Sequence, residues 1–426
     1  MIEQLRAREM VQDLTEGIQG HLGLHRSAGY VGIDPTAPSL HVGNLAPLML
    51  LRHLQNAGHR PVILLGGATA MIGDPSGKAK ERKLLDWEAI RHNQDRITLQ
   101  IQKLFDTSAT GGQEALLLNN LDWFAQCNVL EFVRNVGKHI SVGYINAKET
   151  VKRRIAQGGS GMSFTEYTYP LLQAYDFYHL CTTYDVRLQM GGSDQWGNLT
   201  TGLELIGKKQ AGPAFALTTP LITKPDGTKF GKTEAGTVWL DPNLTSPYAF
   251  YQFWLNCNDE LAHTLLKRLT MLSLEEIQDC YKAHFADPSQ RILQRKLARQ
   301  VTRWVHSRAA LDRAEQISDV LFGTSAHGDL NTFPEKELID ALSGIPVVEI
   351  QRPAWKNFRS VIDVVVDAHG IICQSRSQAR RLIQEGGLWI NKQKIDTPQD
   401  QMPELLHNAY LLIQKGRKRH FLVHVQ

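Results

Sequence analysis

Hydrophobic and polar positions follow two different periods in the first half of the chain. Tyr30-Val31-Gly32-Ile33 is a short apolar run followed by Asp34-Pro35, which predicts a buried strand that ends in a turn. Leucines then recur at every third position from Leu45 to Leu54, which predicts a helix over residues 41–57 that stops at Gly58. Residues 61–65 predict the next strand. Strand, helix and strand in this order predict a βαβ unit and therefore a parallel sheet.

The hydrophobic pattern changes further along the chain and predicts several domains. An α/β pattern extends to about residue 245, and residues 246–323 show helical periodicity with few strand signals. Residues 324–350 are rich in Gly, Ser, Pro and acidic side chains, which is typical of a linker. Residues 351–426 return to a mixed pattern. We therefore predict an α/β domain over 1–245, a helical domain over 246–323, a linker, and a small α+β domain over 351–426.

The composition of the 426 residues is that of a globular protein, with 42% hydrophobic and 21% charged residues. No apolar run approaches the ~20 residues that span a bilayer, and the N-terminus lacks the basic start of a signal peptide. The five cysteines are scattered, and no pair has the spacing of metal ligands. We expect reduced thiols, a cytoplasmic protein and no protein-bound metal.

The charges are distributed unevenly. Residues 351–426 carry 12 Lys/Arg and 6 Asp/Glu, a balance of +6, whereas the whole chain has only +4. The rest of the chain therefore carries −2. A basic C-terminal domain fits a polyanionic partner such as RNA, but it is equally compatible with a surface that only aids solubility.

Two short motifs about 190 residues apart contain candidate chemistry. His41-Val42-Gly43-Asn44 opens the predicted helix, where free N–H groups and the helix dipole favour phosphate. Lys229-Phe230-Gly231-Lys232-Thr233 follows a Pro-Asp-Gly turn and places two lysines around a glycine, an arrangement suited to closing over pyrophosphate. Each motif alone is more often a helix cap or a solvated basic loop.

Together with longer stretches, these motifs resemble the bacterial-type tyrosyl-tRNA synthetases, which are class I aminoacyl-tRNA synthetases. The resemblance covers nearly the whole chain and rests on Tyr30-Val31-Gly32-Ile33-Asp34-Pro35-Thr36, Gly66-Gly67-Ala68-Thr69, Ile72-Gly73-Asp74-Pro75-Ser76, Tyr169-Pro170-Leu171-Leu172-Gln173-Ala174-Tyr175-Asp176, Gly191-Gly192-Ser193-Asp194-Gln195-Trp196-Gly197-Asn198 and the run from Lys229 to Thr233. Two positions depart from the family: Asn44 stands where a second His is usual, and Val31 stands where relatives often carry Cys.

The resemblance implies the fold class and the activity. We expect a Rossmann-like parallel-sheet catalytic domain with a dimer-forming insertion at about 120–165, an α-helical anticodon-side domain, and a small α+β C-terminal domain similar to ribosomal protein S4. The implied reaction joins L-tyrosine to tRNA(Tyr) with ATP, and Mg²⁺ is carried by the nucleotide. The implied assembly is a homodimer without membrane association.

The tyrosine pocket implied by the family can also be argued chemically. Asp176 would accept the phenol hydrogen beside the hydroxyl of Tyr30, and Tyr169, Gln173 and Asp176 fall on one helix face. Without the family match, an ordinary amphipathic helix would explain that face equally well. The residues that would bind tyrosine are Tyr30, Asp74, Tyr169, Gln173, Asp176, Gln189 and Gln195.

The remaining site residues are also implied by the resemblance. The predicted ATP-binding residues are Gly32, Asp34, Thr36, His41, Gly192, Asp194, Lys229 and Lys232. The predicted catalytic residues are His41, Asn44, Lys78, Arg82, Lys229, Lys232 and Thr233. The predicted RNA-binding residues are Arg376, Arg380, Arg381, Lys415, Arg417 and Lys418.

Two other functions remain compatible with parts of the sequence. A tryptophanyl-tRNA synthetase shares fold and motifs, although Asp176 with Tyr30 favours a phenol over an indole. A non-catalytic RNA-binding protein on a degenerate scaffold is opposed by the intact His41, Lys229 and Lys232.

The dimer interface is expected around residues 132–152 and Phe164, where Phe132, Val133, Val136, Ile140, Val142 and Ile145 are apolar.

Overall fold

The computed structural model describes residues 1–76, 85–105, 113–156, 162–223, 230–233, 236–322, 330–342, 345–367, 370–397, 402–416 and 419–426. These residues form two compact units. The first unit comprises Met1–Thr245 and Trp254–Val305, and the second comprises Ser246–Phe253 and His306–Gln426. Within the described ranges, no helix has the length and apolar character needed to cross a membrane.

Nineteen α-helices are present among the described residues. In chain order they are α1 Ile2–Ala7, α2 Ile18–Leu24, α3 Leu45–Asn56, α4 Trp87–Leu104, α5 Leu121–Phe124, α6 Val129–Asn135, α7 Val142–Asn146, α8 Glu149–Ala156, α9 Phe164–Tyr184, α10 Trp196–Lys208, α11 Pro247–Leu255, α12 Asp259–Leu269, α13 Leu274–Ala286, α14 Ile292–Val305, α15 Arg308–Phe322, α16 Glu335–Ala341, α17 Arg352–Asn357, α18 Val361–Asp367 and α19 Arg376–Gln384.

The strands of the described residues form three sheets. In chain order they are β1 Asp13–Leu14, β2 Ala28–Ile33, β3 Arg60–Leu65, β4 Leu116–Asn119, β5 Val186–Gly192, β6 Phe215–Thr219, β7 Lys232–Thr233, β8 Gly236–Thr237, β9 Val347–Ile350, β10 Leu388–Ile390, β11 Gln393–Lys394, β12 Tyr410–Lys415 and β13 Arg419–Val425.

The first unit is built on a six-stranded sheet in the order β1-β6-β5-β2-β3-β4. The neighbours from β6 to β4 are parallel, and only the short β1 is antiparallel. The chain order reverses direction between β2 and β5, so their carboxyl ends frame a crevice of the kind in which α/β proteins bind ligands. The predicted parallel sheet is therefore confirmed.

Helices α9 and α10 pack closely beside this sheet. Phe177 and Leu180 of α9 are fully buried in a cluster that includes Tyr30 and Val62 of the strands. Gly202 of α10 lies against the ring of Phe177, and a side-chain carbon at that position would lie only 2.9 Å from the ring. This close packing fixes α9, the helix that carries three of the predicted tyrosine-binding residues.

The second unit contains a five-stranded sheet in the order β11-β10-β12-β13-β9. Its strands are antiparallel except for β9, which pairs in parallel with β13. Apolar side chains from the sheet and from α18 and α19 form its core, including Val364, Ile383 and Val423. The structure thus has a parallel-sheet region, a helical region and a small mixed C-terminal sheet, which confirms the predicted fold class.

The limits of these parts differ from the predicted ones. Trp254–Val305, which includes α12 to α14, belongs to the same compact unit as the parallel sheet. Within the segment predicted as a linker, Glu335–Ala341 is helical and Val347–Ile350 is a strand of the C-terminal sheet. Every second residue of β9 is buried, as in a strand with one face against a core. The C-terminal sheet therefore begins before residue 351, the predicted start of its domain.

Candidate active site

A cavity of about 430 Å³ lies at the carboxyl ends of the parallel strands in the first unit. It brings together predicted residues that are far apart in the sequence. Those that line it are Tyr30, Gly32, Asp34, Thr36, His41, Asn44, Asp74, Tyr169, Gln173, Asp176, Gln189, Gly192, Asp194 and Gln195. A volume of this size accommodates a small organic ligand.

The deep end of the cavity presents a buried carboxylate whose two oxygens are held by different donors. The indole Nε1 of Trp123 donates to Oδ1 of Asp176 over 2.8 Å, and Nδ2 of Asn120 donates to Oδ2 over 3.1 Å. Burial raises the pKa of Asp176 to about 8, while the two hydrogen bonds act in the opposite direction. The carboxylate is thereby fixed in one orientation beside the cavity.

Two further polar groups at this end of the cavity are buried. The hydroxyl of Tyr30 and Oε1 of Gln189 are buried, and neither has a hydrogen-bond partner among the residues that the structure describes. Burial, and then the neighbouring Asp176, raises the pKa of Tyr30 well above its usual value, so its hydroxyl keeps its proton. Because unpaired buried polar atoms are costly, a hydroxyl-bearing ligand would stabilise this end of the cavity.

Asn120 and Trp123 were not predicted from the sequence. Asn120 follows the end of β4, and Trp123 lies one turn later on the short helix α5. The polar pair Asn119-Asn120 after an apolar run was a usable signal, because side chains at the carboxyl ends of parallel strands face the ligand crevice. No comparable signal existed for Trp123, whose ring stacks on His179 at 4.5 Å between centroids.

The middle of the cavity is rich in acceptors. Asp74 is 7% exposed, and its Oδ2 accepts a hydrogen bond of 2.7 Å from Nε2 of Gln195. Its Oδ1 accepts from the backbone N–H of Ser76 over 2.9 Å. Two carboxylates, the buried Asp74 and the half-buried Asp34, therefore line the same cavity, and this arrangement suits a ligand with an ammonium group.

Asp34 is joined to the amino-acid end of the cavity in this structure. Its Oδ2 accepts from the hydroxyl of Tyr169 over 2.8 Å, and its Oδ1 accepts from the hydroxyl of Thr69 over 2.7 Å. Burial, and then Asp34 and Asp74, raises the pKa of Tyr169 well above its usual value. Asp34 is predicted to bind ATP. Its contact with Tyr169 shows that it also lies beside the predicted tyrosine-binding residues.

The other end of the cavity contains His41, which caps a short turn. Val42–Asn44 forms a 3-10 turn and α3 begins only at Leu45, so the helix starts four residues later than predicted. The reason is a capping box: Nδ1 of His41 accepts from the N–H of Gly43 over 3.1 Å, and the N–H of His41 donates to Oδ1 of Asn44 over 2.9 Å. The neutral imidazole therefore carries its proton on Nε2, which is a donor.

The two sequence motifs meet at this end. Val42 donates its N–H to the carbonyl of Val238 over 3.1 Å, and Val238 donates to the carbonyl of Gly231 over 2.9 Å. Gly231 has φ +92°, and any side chain there would collide with Val42. Only glycine therefore allows the lysine motif to pass this close to the histidine motif.

Several predicted residues are outside what the structure describes. Lys78, Arg82, Lys229, Arg417 and Lys418 lie outside the described ranges. The backbones of Lys232 and Thr233 form β7, but their side chains are not among those described.

The predicted RNA-binding residues that are described lie in the second unit. Arg376 donates to Oδ1 of Asp363 over 2.6 Å, Arg381 donates to Glu385 over 2.7 Å, and Lys415 donates to the carbonyl of Ile372 over 2.5 Å. Arg380 is exposed on the same helix, α19. The exposed arginines are thus partly paired with carboxylates, which lowers the net positive charge of this surface.

Comparisons with known proteins agree across the whole chain. The family model of class I tRNA synthetases (W and Y) matches residues 24–323, and that of the tyrosine–tRNA ligase SYY-like C-terminal domain matches residues 337–423. The tyrosine–tRNA ligase of Amoebophilus asiaticus is 50% identical over 426 residues, which is 100% of this chain and 99% of that protein. The tyrosine–tRNA ligase of Porphyromonas gingivalis is 47% identical over 428 residues, with 100% and 99% coverage.

A solved structure supports the same assignment. The crystal structure of a C-terminally truncated mitochondrial tyrosyl-tRNA synthetase from Aspergillus nidulans superposes with a TM-score of 0.68 at 30% sequence identity. It covers 75% of this chain and 94% of that one. With two family models, full-length relatives near half identity and a matching fold, the chain belongs to the tyrosine–tRNA ligases of the class I tRNA synthetase family.

Proposed function

We propose that this tyrosine–tRNA ligase selects its amino acid by the phenol hydroxyl, through Asp176 and Tyr30. The observation that carries the proposal is a buried carboxyl group with both oxygens held by N–H donors, beside a buried tyrosine hydroxyl that has no partner among the described residues. A bound tyrosine would donate its hydroxyl hydrogen to Asp176 and pair with Tyr30. Phenylalanine would leave the Tyr30 hydroxyl unpaired, at a cost of about 1–3 kcal/mol for a buried group, and it would give Asp176 no further donor.

The substrate ammonium would lie among the acceptors in the middle of the cavity. Asp74, Asp34 and Tyr169 supply oxygen atoms there, and Gln173 and Gln195 line the same cavity. Opposite charge favours a cation at this point, and the two carboxylates would be stabilised in return. With the ammonium group there and the phenol at Asp176, the substrate carboxylate would face His41. Gln189 would support the phenol end from behind.

The first chemical step requires no protein nucleophile. An oxygen of the tyrosine carboxylate attacks the α-phosphorus of ATP, the bond to the bridging oxygen breaks, and pyrophosphate leaves with the electron pair. His41 Nε2 and the amide of Asn44 would donate hydrogen bonds to the phosphates as charge develops. Mg²⁺ carried by the nucleotide would contribute further positive charge.

The nucleotide would occupy the end of the cavity formed by Gly32, Thr36, Gly192 and Asp194. A side chain at Gly192 would approach Leu221 and Asp194 within 2.9 Å, so glycine keeps this wall open to the nucleotide. By resemblance, Lys78, Arg82, Lys229, Lys232 and Thr233 would act on the leaving pyrophosphate.

The second step transfers tyrosine to the terminal ribose of tRNA(Tyr). The basic C-terminal region would hold the RNA through phosphates, with Arg376, Arg380, Arg381 and Lys415 on its described surface and Arg417 and Lys418 close in sequence. Ion pairs at Arg376 and Arg381 would have to open or be shared when RNA binds.

A homodimer is supported by an apolar surface that differs in part from the predicted one. Val136, Ile140 and Ile145 are buried in a core of their own subunit, so they cannot form the interface. Other side chains remain exposed: Val129 at 74%, Leu130 at 79%, Val133 at 60%, Val142 at 66% and Phe164 at 81%. The hydroxyl of Tyr167, one turn after Phe164, contacts the carbonyl of Val142 over 3.2 Å, which places these parts side by side. Such a surface favours burial against a second copy.

The cysteines support a reducing location. All five are free thiols, and burial raises the pKa of Cys257 to about 12, which keeps that thiol protonated and unreactive. We therefore place the protein in the cytoplasm, where such thiols persist.

Exchange of labelled pyrophosphate into ATP tests the proposed first step. The assay is run with tyrosine, phenylalanine or tryptophan as the only amino acid. Exchange with tyrosine alone supports the proposal. Exchange with tryptophan would instead indicate an indole-selective enzyme, and no exchange with any amino acid would indicate an RNA-binding protein without this activity.

A further inference from the structure

A second cavity, of about 500 Å³, lies in the first unit and shares no lining residue with the candidate active site. Its walls come from α3, the end of α4, the end of α12 and α14. Arg52 of α3 lies seven residues after Leu45, which is about 10 Å along the axis of the helix that starts beside His41. The second cavity thus lies about two helical turns along α3 from the ATP-binding motif.

Three cations line this cavity. They are Arg52, Lys103 and Arg303, from three different helices, and among the residues that the structure describes no aspartate or glutamate lines it. Lys103 and Arg303 are exposed, whereas Arg52 is half-buried. Three positive groups around one concavity, without a lining carboxylate, favour an anion.

Arg52 lies over the ring of Trp304 and makes no hydrogen bond within the part of the chain that the structure describes. Its guanidinium carbon lies 5.0 Å from the ring centroid of Trp304, whose Nε1 donates to the carbonyl of Leu104 over 3.3 Å. Within the described part of the chain, the guanidinium donates to no acceptor, and burial lowers its pKa. A guanidinium that is positioned but lacks acceptors is suited to an oxyanion, which accepts several N–H groups at once.

The surroundings of Arg52 are electropositive. Burial, followed by Arg8, Arg52 and the N-terminal amine, lowers the pKa of the adjacent His53 to about 4. The carbonyl of Thr270 in the cavity wall already accepts from Arg8 over 3.1 Å. The described lining therefore contains no negative charge that would pair with Arg52 or repel an anion from solution.

The remaining lining is apolar and comes from Met49, Phe105, Leu269 and Met271. A bare inorganic anion would leave this surface unused, whereas an ester with an organic part would cover it. We propose that this cavity binds a phosphate ester of nucleotide size, with the phosphate on Arg52, Lys103 and Arg303. The source is either one nucleotide of the tRNA or a free nucleoside monophosphate, and the tRNA alternative rests on the proposed function.

The test uses two double variants with equal loss of charge. Lys103→Gln with Arg303→Gln removes two exposed cations of the cavity, one from α4 and one from α14. Arg91→Gln with Arg295→Gln removes two exposed cations from the same helices, outside the cavity lining, and is the matched control. Arg52→Met is a third variant, and the double variants remain decisive if it does not fold.

Two measurements are made on the full chain. Calorimetric titration with cytidine 5′-monophosphate, and with inorganic phosphate, is done with the other cavity filled by a non-hydrolysable tyrosyl-adenylate analogue. The KM for tRNA(Tyr) in charging is measured against salt concentration. Pyrophosphate exchange is recorded for every variant, so that failure of the proposed first step is distinguished from failure of this inference.

The outcomes separate the two sources. For a free nucleotide, the monophosphate binds the parent and the control, and the cavity variant binds it about 10-fold more weakly, the effect of losing about 1.4 kcal/mol. For tRNA, the KM rises at least about 5-fold in the cavity variant alone. The slope of log KM against log salt concentration becomes shallower by about 1–2 in that variant. Equal behaviour of the two double variants in both measurements would overturn the proposal.

Discussion

The indole Nε1 of Trp123 donates a hydrogen bond of 2.8 Å to Oδ1 of Asp176, at the end of the cavity where we place the substrate phenol. Asn120 holds the other carboxylate oxygen. These two donors fix the orientation of Asp176 and favour its charged form against the effect of burial. Trp123 is thus a positioning residue that acts on the substrate through Asp176.

Replacing Trp123 by Phe should weaken tyrosine activation and shift its pH dependence. The variant keeps an aromatic ring but loses the N–H, so the pKa of Asp176 rises further and less of it is a carboxylate near neutral pH. We expect kcat/KM for tyrosine to fall about 10-fold, since a hydrogen bond to a charged group contributes about 1.5–3 kcal/mol. The acidic limb of the pH profile should move to higher pH.

The control for this variant is His179→Phe, which preserves a stacking partner for Trp123 and has no hydrogen bond to Asp176. It should leave both rate and profile close to the parent. If Trp123→Phe retained the parental pH profile, the hydrogen bond would have no role in setting the charge of Asp176.

How far the sequence predicts this site can be judged from single residues. The i, i+4, i+7 spacing correctly placed Tyr169, Gln173 and Asp176 on one cavity wall, because helix periodicity is a local property. Trp123 could not be predicted, because its role depends on a tertiary contact between α5 and α9. A local pattern contains no information about such a contact.

The apolar insertion and the C-terminal boundary illustrate the same limit. Val133 and Val136 are alike in sequence, yet Val136 is 1% exposed and Val133 is 60% exposed, since only packing decides which side chain faces the core. β9 was assigned to a linker, because a four-residue strand that pairs with residues more than 70 positions away leaves little local signal.

Stability should fall in mild acid because of His53. Its pKa is lowered in the folded state from 6.5 to about 4, first by burial and then by Arg8, Arg52 and the N-terminal amine. The unfolded chain binds this proton more readily, so stability is unaffected above pH 6.5 and declines as pH falls toward 4. His53→Gln should remove this decline.

Urea unfolding at pH 7.5 and at pH 4.5 measures the effect. Between these pH values, the parent should lose about 2–3 kcal/mol more free energy of unfolding than His53→Gln. The exposed residue His92, changed to Gln, is the control and should behave as the parent does. An identical pH dependence in parent and His53→Gln would contradict a buried neutral histidine.

Removing the C-terminal sheet should separate the two steps. The truncated chain should end after Leu342. Truncation after residue 350 would keep β9 but remove β13, the strand with which it pairs. Tyrosine-dependent pyrophosphate exchange should stay within about 2-fold of the parent, while charging of tRNA should fall on the order of 100-fold as phosphate contacts are lost. Undiminished charging at physiological salt would exclude the RNA role of this region.

Charge on the exposed apolar surface should dissociate the proposed dimer. Phe164 is 81% exposed, and Phe164→Asp together with Val133→Asp would place carboxylates where we expect the second copy. Sedimentation velocity should show a dimer for the parent and a monomer for this variant at micromolar concentration. Phe285→Asp, a change at another exposed phenylalanine, is the control and should stay dimeric. A monomeric parent with full charging activity would refute the interface.

The most direct test of the account is the selectivity of Asp176→Asn in pyrophosphate exchange with tyrosine and with phenylalanine. The substitution keeps the size of the side chain but replaces one carboxyl oxygen by an NH2 group, which donates and cannot accept the phenol hydrogen. We predict that kcat/KM for tyrosine falls at least about 100-fold, near 3 kcal/mol, while the value for phenylalanine changes little, so that the preference for tyrosine collapses. A variant that still prefers tyrosine as strongly as the parent would contradict the claim that this buried carboxylate selects the substrate.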